Sequence, residues 1–203
     1  MTPAELLHNA AVRTVARYLS KSGCVDVRIA TDGRSLGEGV DLSYVRDGAA
    51  RRAKVKSDPY FGTDPALIAD RSLPFYRADS RSYALETISD AGTRAPGWAL
   101  TSEADELLYL FLAITSTEVE MAALVAAPDD VFFSRLPVER DELHALPMSP
   151  LRSWLSSTQE AYPARPVTAG PRASWIRLVP TADVAGAGIG VRVLGSVFAR
   201  ARG

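Results

Sequence analysis

Five side chains in the first half of the chain have types and spacing suited to chemistry: Asp41, Lys54, Lys56, Asp58 and Glu86. Asp41 heads the run Asp41-Leu42-Ser43-Tyr44-Val45-Arg46, and Lys54-Val55-Lys56-Ser57-Asp58 lies beyond the intervening Asp47-Gly48. Asp-Gly between two such runs predicts a two-residue hairpin, because its turn needs positive φ at both central positions. Strand alternation then sets Lys54, Lys56 and Asp58 on one face of the second strand. A carboxylate is a hard oxygen donor for divalent cations, and an ammonium or guanidinium pairs with phosphate. Lysine is also scarce: the chain has 20 arginines and 3 lysines, so two lysines two residues apart stand out.

Plainer readings of the same residues stay open. Asp41 also suits an ordinary strand start that caps loop backbone. Lys54 and Lys56 also suit the solvated face of an edge strand, where lysine discourages edge pairing. Glu86 lies among Tyr83, Leu85 and Ile88; a half-buried carboxylate there needs a partner, whether metal, Lys56 or an arginine. Arg51, Arg52, Lys54 and Lys56 on one strand suit phosphate contacts. Trp98 reads as a core or turn anchor. His8 and His144 are 136 residues apart without ligand spacing and read as surface or capping residues. Cys24 reads as small packing, and Gly186-Ala187-Gly188-Ile189-Gly190 lacks the Lys-Ser/Thr of a phosphate loop.

The elements that must position these residues follow from periodicity. Residues 3–22 predict a helix, with Pro3 in its first turn and Ser22-Gly23 at its end. Strands are expected at 25–30, 40–46, 50–56 and 82–89, with a loop at 31–39 and a short helix at 65–73. The dense apolar run 106–114 reads as a strand, paired with a second at 122–127. A helix is expected at 150–157, a Pro-rich connection at 163–171, a last strand at 174–180 and a helical turn from Thr181. The Gly-rich segment from Gly186 reads as flexible tail. A helix on a mostly sequential sheet is an α/β (α+β) domain, expected over residues 1–180 with a Gly/Arg-rich tail at 181–203.

Composition bounds the alternatives. With 47% hydrophobic and 23% charged residues, 203 residues suffice for one buried core. A formal net charge of −1 excludes a strongly basic nucleic-acid coat, though not a local basic site. One cysteine allows no internal disulfide and no Cys-based metal cluster. No run approaches the roughly 18 apolar residues of a membrane span, and no signal peptide is evident. A cytoplasmic protein without a membrane partner is the expectation.

The opening helix, strand and hairpin resemble the core of the PD-(D/E)xK nuclease superfamily, in which an acidic residue begins the second strand and an acid-x-Lys triplet lies on the third. The order of later segments is similar to a phage and bacterial branch of it: Tyr83-Ala84-Leu85-Glu86, then Pro96-Gly97-Trp98, Ser102-Glu103-Ala104-Asp105 before an aromatic strand, and Leu151-Arg152-Ser153-Trp154-Leu155. The resemblance runs from about Asn9 to Leu155 and implies a restriction-endonuclease-like fold, a central mixed sheet flanked by helices. It further implies a nucleic-acid-acting, phage-related protein and metal-dependent hydrolysis of DNA. Asp41, Asp58 and Glu86 would hold Mg²⁺ or Mn²⁺. Asp41 and Lys56 would be the catalytic pair, with Lys56 steadying the developing charge. Arg51, Arg52, Lys54 and Lys56 would hold the DNA backbone. Two positions depart from the family pattern: Lys54 stands where an acid is expected, and Val12 where a helix-borne Glu is common. The same fold therefore also implies an alternative, a catalytically inactive DNA-binding or scaffold protein. Homodimers are common in the superfamily, and a homodimer or a protein partner is the matching expectation here.

Overall fold

In the computed structural model, residues 1–58, 82–169 and 172–203 are described. The chain opens with α1 (Pro3–Lys21), whose N-terminus is closed by a capping box in which Thr2 and Glu5 satisfy each other's backbone N–H. Strand β1 (Val25–Ile29) follows, then a one-turn helix α2 (Gly33–Gly37) capped by Asp32. Strands β2 (Leu42–Arg46) and β3 (Ala49–Asp58) form the expected hairpin. Its turn has φ 53° at Asp47 and 74° at Gly48, so both central residues are left-handed. The helix, the first strand and the hairpin thus appear where periodicity and turn chemistry put them. The helix expected at 65–73 lies outside the described residues.

The remaining strands build two sheets. β4 (Ser82–Asp90) and β5 (Ala95–Pro96) precede a single turn, α3 (Trp98–Thr101), and β6 (Glu106–Ile114). Next come α4 (Glu118–Ala126), α5 (Asp129–Arg135), β7 (Val138–Pro147) and α6 (Met148–Thr158). β8 (Ala164–Ala169), β9 (Arg172–Pro180), α7 (Thr181–Gly186), β10 (Arg192–Gly195) and α8 (Phe198–Arg202) complete the chain. The central sheet has six strands in the order β1-β2-β3-β6-β7-β10, and a second has four in the order β5-β4-β9-β8. β3 and β6 run parallel, and the other neighbours in the six-stranded sheet are antiparallel, so that sheet is mixed.

Strand β6 divides the core. All nine of its residues are buried. Leu108, Leu110, Leu112 and Ile114 face one apolar cluster with Leu42, Tyr44, Ala53, Val55 and the inner side of α1. Leu107, Tyr109 and Phe111 face the other, with Tyr83 and Leu85 of β4, Val179 of β9 and Leu151 and Leu155 of α6. The result is three layers: helices, the six-stranded sheet, and the small sheet with its own helices. Tyr83 ties the two sheets together. Its hydroxyl lies 2.6 Å from His144 Nδ1 on β7, and Glu142 Oε1 lies 2.7 Å from His144 Nε2. His144, expected at the surface, is only 5% exposed. Among the described residues, no helix is long and apolar enough to cross a membrane.

Four local expectations fail, each for a physical reason. Residues 122–127 belong to helix α4 and not to a strand; Thr117 and Glu120 form a capping box that starts it. The partner of β6 is instead β7, through residues 138–147. The Pro-rich connection at 163–171 contains strand β8, with Pro166 opposite Trp175. β8 is the outer strand of its sheet, where a missing N–H can be tolerated. The segment from Gly186 is not a loose tail: β10 pairs with β7, and Val197, Phe198 and Ala201 are buried against the α1 side of the core. Phe198→Ala should therefore cost about 3 kcal/mol, read as a lower denaturant midpoint at unchanged slope. An unchanged midpoint would return these residues to the status of a tail.

Candidate functional site

Asp41 is placed by backbone before its side chain is considered. Its N–H donates to the Ala53 carbonyl at 2.9 Å, continuing the β2–β3 ladder by one residue. The loop before it turns at Gly39, with φ +71°, and packs on Ser102, whose hydroxyl donates to the Gly39 carbonyl at 2.9 Å. A side chain at position 39 would be both strained and crowded against Ser102. The Asp41 carboxylate is thus delivered, 5% exposed, into a fixed position beside β3.

Three donors meet that carboxylate. The Val55 N–H donates to Oδ2 at 2.7 Å. Lys54 Nζ lies 3.2 Å from Oδ1 and 3.1 Å from Oδ2, spanning both oxygens. His8 Nε2, reaching across from α1, lies 3.5 Å from Oδ1. Burial alone would push the Asp41 carboxyl up. The contact with His8, the charge of Lys54 and the Val55 N–H outweigh burial and hold it below its ordinary value. Asp41 is therefore a carboxylate whose charge is already compensated.

Lys56 and Glu86 form the adjoining part of the site. Ala53 and Val55 of β3 face α1, so alternation turns Lys54 and Lys56 toward the small sheet. Lys56 Nζ sits 5.3 Å from the centroid of the Trp98 ring, a cation–π contact. Trp98 N–H in turn faces Glu86 Oε1 at 3.4 Å. Gly97 allows this approach, since an added Cβ would collide with the Glu86 carbonyl. The indole Nε1–H of Trp98 is buried and finds no acceptor among the described residues. Trp98 is thus the anchor expected of it, with an unsatisfied donor beside the lysines' strand.

The other nominated residues separate. Arg52 lies on the same face of β3 as the lysines but is committed to the loops: Nη1 donates to Glu38 Oε2 at 2.8 Å and Nη2 to the Glu103 carbonyl at 2.7 Å. Arg51 points to the opposite face by alternation and is exposed. Asp58 ends β3, and its side chain lies outside the described residues. The basic residues of β3 therefore do not form one continuous stripe. His8 is the participant that sequence reasoning set aside: a lone histidine on an amphipathic helix carries no spacing signal, and only the packing of α1 on the hairpin reveals its partner.

The residues present do not fit a resident divalent cation at Asp41. Both carboxylate oxygens are in contact with the Lys54 ammonium, at 3.1–3.2 Å, Oδ2 also accepts from the Val55 N–H, and the lysine charge would repel a divalent ion. Among the described residues, no three His, Cys, Asp or Glu side chains are grouped so as to hold a metal ion.

Stability should report the Asp41 pair directly. A carboxylate with a depressed pKa stabilises the fold fully above its unfolded-state value, 3.8 here, and that contribution drains as pH falls through the lower folded value. The stability gap between the wild type and Asp41→Asn should shrink as pH falls below about 5, measured by urea unfolding. A gap independent of pH would show that the Asp41 charge contributes nothing.

No protein-family model, curated protein or solved structure matches the chain.

Proposed function

We propose that the protein binds the phosphate backbone of DNA on the Lys54 and Lys56 side of β3, on a restriction-endonuclease-like core, without a divalent ion at Asp41 and without cutting. The observation that carries this reading is the Lys54 ammonium spanning both Asp41 oxygens. In a metal-dependent nuclease the carboxylate needs its oxygens for the ion, and the lysine beside it acts on the phosphate. Here the acid-x-Lys triplet begins with a lysine, and that lysine does by charge what the ion would do for Asp41. Support for the fold comes from the order α1-β1-β2-β3, with Asp41 just before β2 and Lys56 on β3 within a mixed central sheet.

The side chains that bear on this side of the site are Lys56, on the face of Trp98, and His8, whose side chain is 36% exposed. Lys54 is 15% exposed and bound to one carboxylate, so it contributes mainly by cancelling Asp41 and sparing an approaching phosphate its repulsion. Binding of this kind is electrostatic, sequence-tolerant and steeply salt-dependent.

Fluorescence anisotropy of labelled single-stranded and duplex DNA tests the proposal, run in EDTA and in Mg²⁺ with the products resolved on a gel. Affinity no higher in Mg²⁺ than in EDTA, since the divalent ion only competes for the phosphates, and intact DNA are expected. Lys56→Ala should weaken binding and reduce the slope of log K against log salt by roughly one contact. Mg²⁺-dependent cleavage lost in Asp41→Ala would overturn the proposal in favour of hydrolysis. Absence of any shift at low salt would overturn it in favour of a protein scaffold.

A further inference from the structure

Three helices on the α1 side of the six-stranded sheet carry basic residues in their last turns: Lys21 on α1, Arg135 on α5, and Arg200 and Arg202 on α8. Helix α8 joins the three ends. Its buried Phe198 packs beside Phe133 of α5, with ring centroids 6.1 Å apart. Toward α1, the Ala201 carbonyl accepts from Arg17 Nε at 2.8 Å and the Gly203 oxygen from Lys21 Nζ at 3.2 Å. Toward α5, Arg202 Nη2 donates to the Ser134 carbonyl at 3.0 Å. Packing of α8 therefore sets these basic residues in one row, from α1 across α8 to the end of α5.

Basic last turns complement the helix dipole, which leaves roughly half a negative charge at each C-terminal end. That accounts for part of the row, and two of its cations are also answered one by one. Arg17 shares Asp129 with Arg13, its Nη1 3.9 Å from Oδ2, and Lys21 has the Gly203 oxygen. The other three cations are not answered. Arg135 has no side-chain partner among the described residues. Arg200 meets only the Tyr18 ring, 5.9 Å from its centroid, and Arg202 gives one N–H to the Ser134 carbonyl. All three are exposed, and among the described residues none is paired with a carboxylate. In a chain of net charge −1, this is a local excess of positive charge.

We infer that this row, with Arg135, Arg200 and Arg202 as its uncommitted members, is a second surface for the phosphate backbone of DNA. One molecule then holds two DNA segments, on opposite faces of its central sheet. The identity of the ligand rests on the DNA-binding reading of β3, whereas the surface itself makes no use of Lys54 or Lys56. A guanidinium keeps several N–H groups for phosphate oxygens even after one is spent on a carbonyl. Among the described residues, no large exposed apolar side chain lies on these last turns. The row thus lacks the apolar anchor by which a protein partner or a lipid surface is held. A phosphate backbone needs charge alone.

A bead-bound duplex and a free fluorescent duplex, mixed with the whole protein at low salt, test the inference, with solution anisotropy as the measure of single-duplex binding. The wild type should carry the fluorescent duplex onto the beads. Arg135→Glu, which removes no contact, should lower that capture, and the triple variant Arg135→Glu/Arg200→Glu/Arg202→Glu should lower it about tenfold or more. Both variants should still bind one duplex in a Lys56-dependent way. Capture indifferent to both arginine variants, or no capture where anisotropy shows Lys56-dependent binding of one duplex, would overturn the inference and leave the β3 reading standing. Binding indifferent to Lys56→Ala and lost in the arginine variants would keep this surface and overturn the β3 reading. No binding in either assay would overturn both. Displacement of the captured duplex by poly-glutamate at a lower charge concentration than by unlabelled duplex would overturn the inference in favour of an acidic protein partner.

Discussion

The structure depends on one constraint: strand β6 has no exposed residue. All nine side chains from Glu106 to Ile114 are buried, so both faces of the central sheet must be covered. One cover is α1 with α4, α5 and α8; the other is the small sheet with α3, α6 and α7. Because β3 lies parallel to β6, with Lys54 opposite Leu107 and Lys56 opposite Tyr109, the same constraint places the lysines. Ala53 and Val55 are drawn to the α1 side, and alternation presents the lysines to the side where Trp98 and Glu86 arrive. The location of the candidate site is a consequence of hydrophobic layering.

Electrostatics then decides what that location can do. Taking Asp41 out of water is costly unless its charge is compensated, and compensation comes from one ammonium, one backbone N–H and one imidazole. A divalent ion could play the same part, but only by displacing Lys54. The lysine is thus both a stabilising partner and an obstacle to metal chemistry. On the opposite face, Glu106 meets the same requirement with two arginines, Arg46 and Arg192. The six-stranded sheet therefore carries a charge-compensated carboxylate on each of its faces.

Much of this was legible in the sequence, and the failures are instructive. The first helix, the hairpin and the buried strand at 106–114 follow from local signals: an amphipathic period, an Asp-Gly turn and a dense apolar run. Helix α4 was legible too, through Thr117-Glu118-Val119-Glu120, but the apolar run after it outweighed the capping pattern. Strand β8 was hidden by Pro166, whose tolerance depends on an edge position that only the sheet order reveals. The pairing of β10 with β7 is non-local, and Gly188 and Gly190 beside it looked like flexibility. For the site, Asp41 and Lys54 stood out by type and spacing, and Lys54 marked the departure from a nuclease pattern. His8 and Glu106 did not stand out, because a single titratable residue has meaning only through the neighbours that tertiary packing supplies.

The central claim is that Lys54 takes the place of a cation at Asp41. Titration of the protein with Mn²⁺, followed by electron paramagnetic resonance of the free ion, addresses it most directly. The wild type and Asp41→Ala should bind Mn²⁺ indistinguishably, because the Lys54 ammonium compensates the Asp41 charge and repels the ion. A saturable Mn²⁺ site present in the wild type and lost in Asp41→Ala would contradict the account.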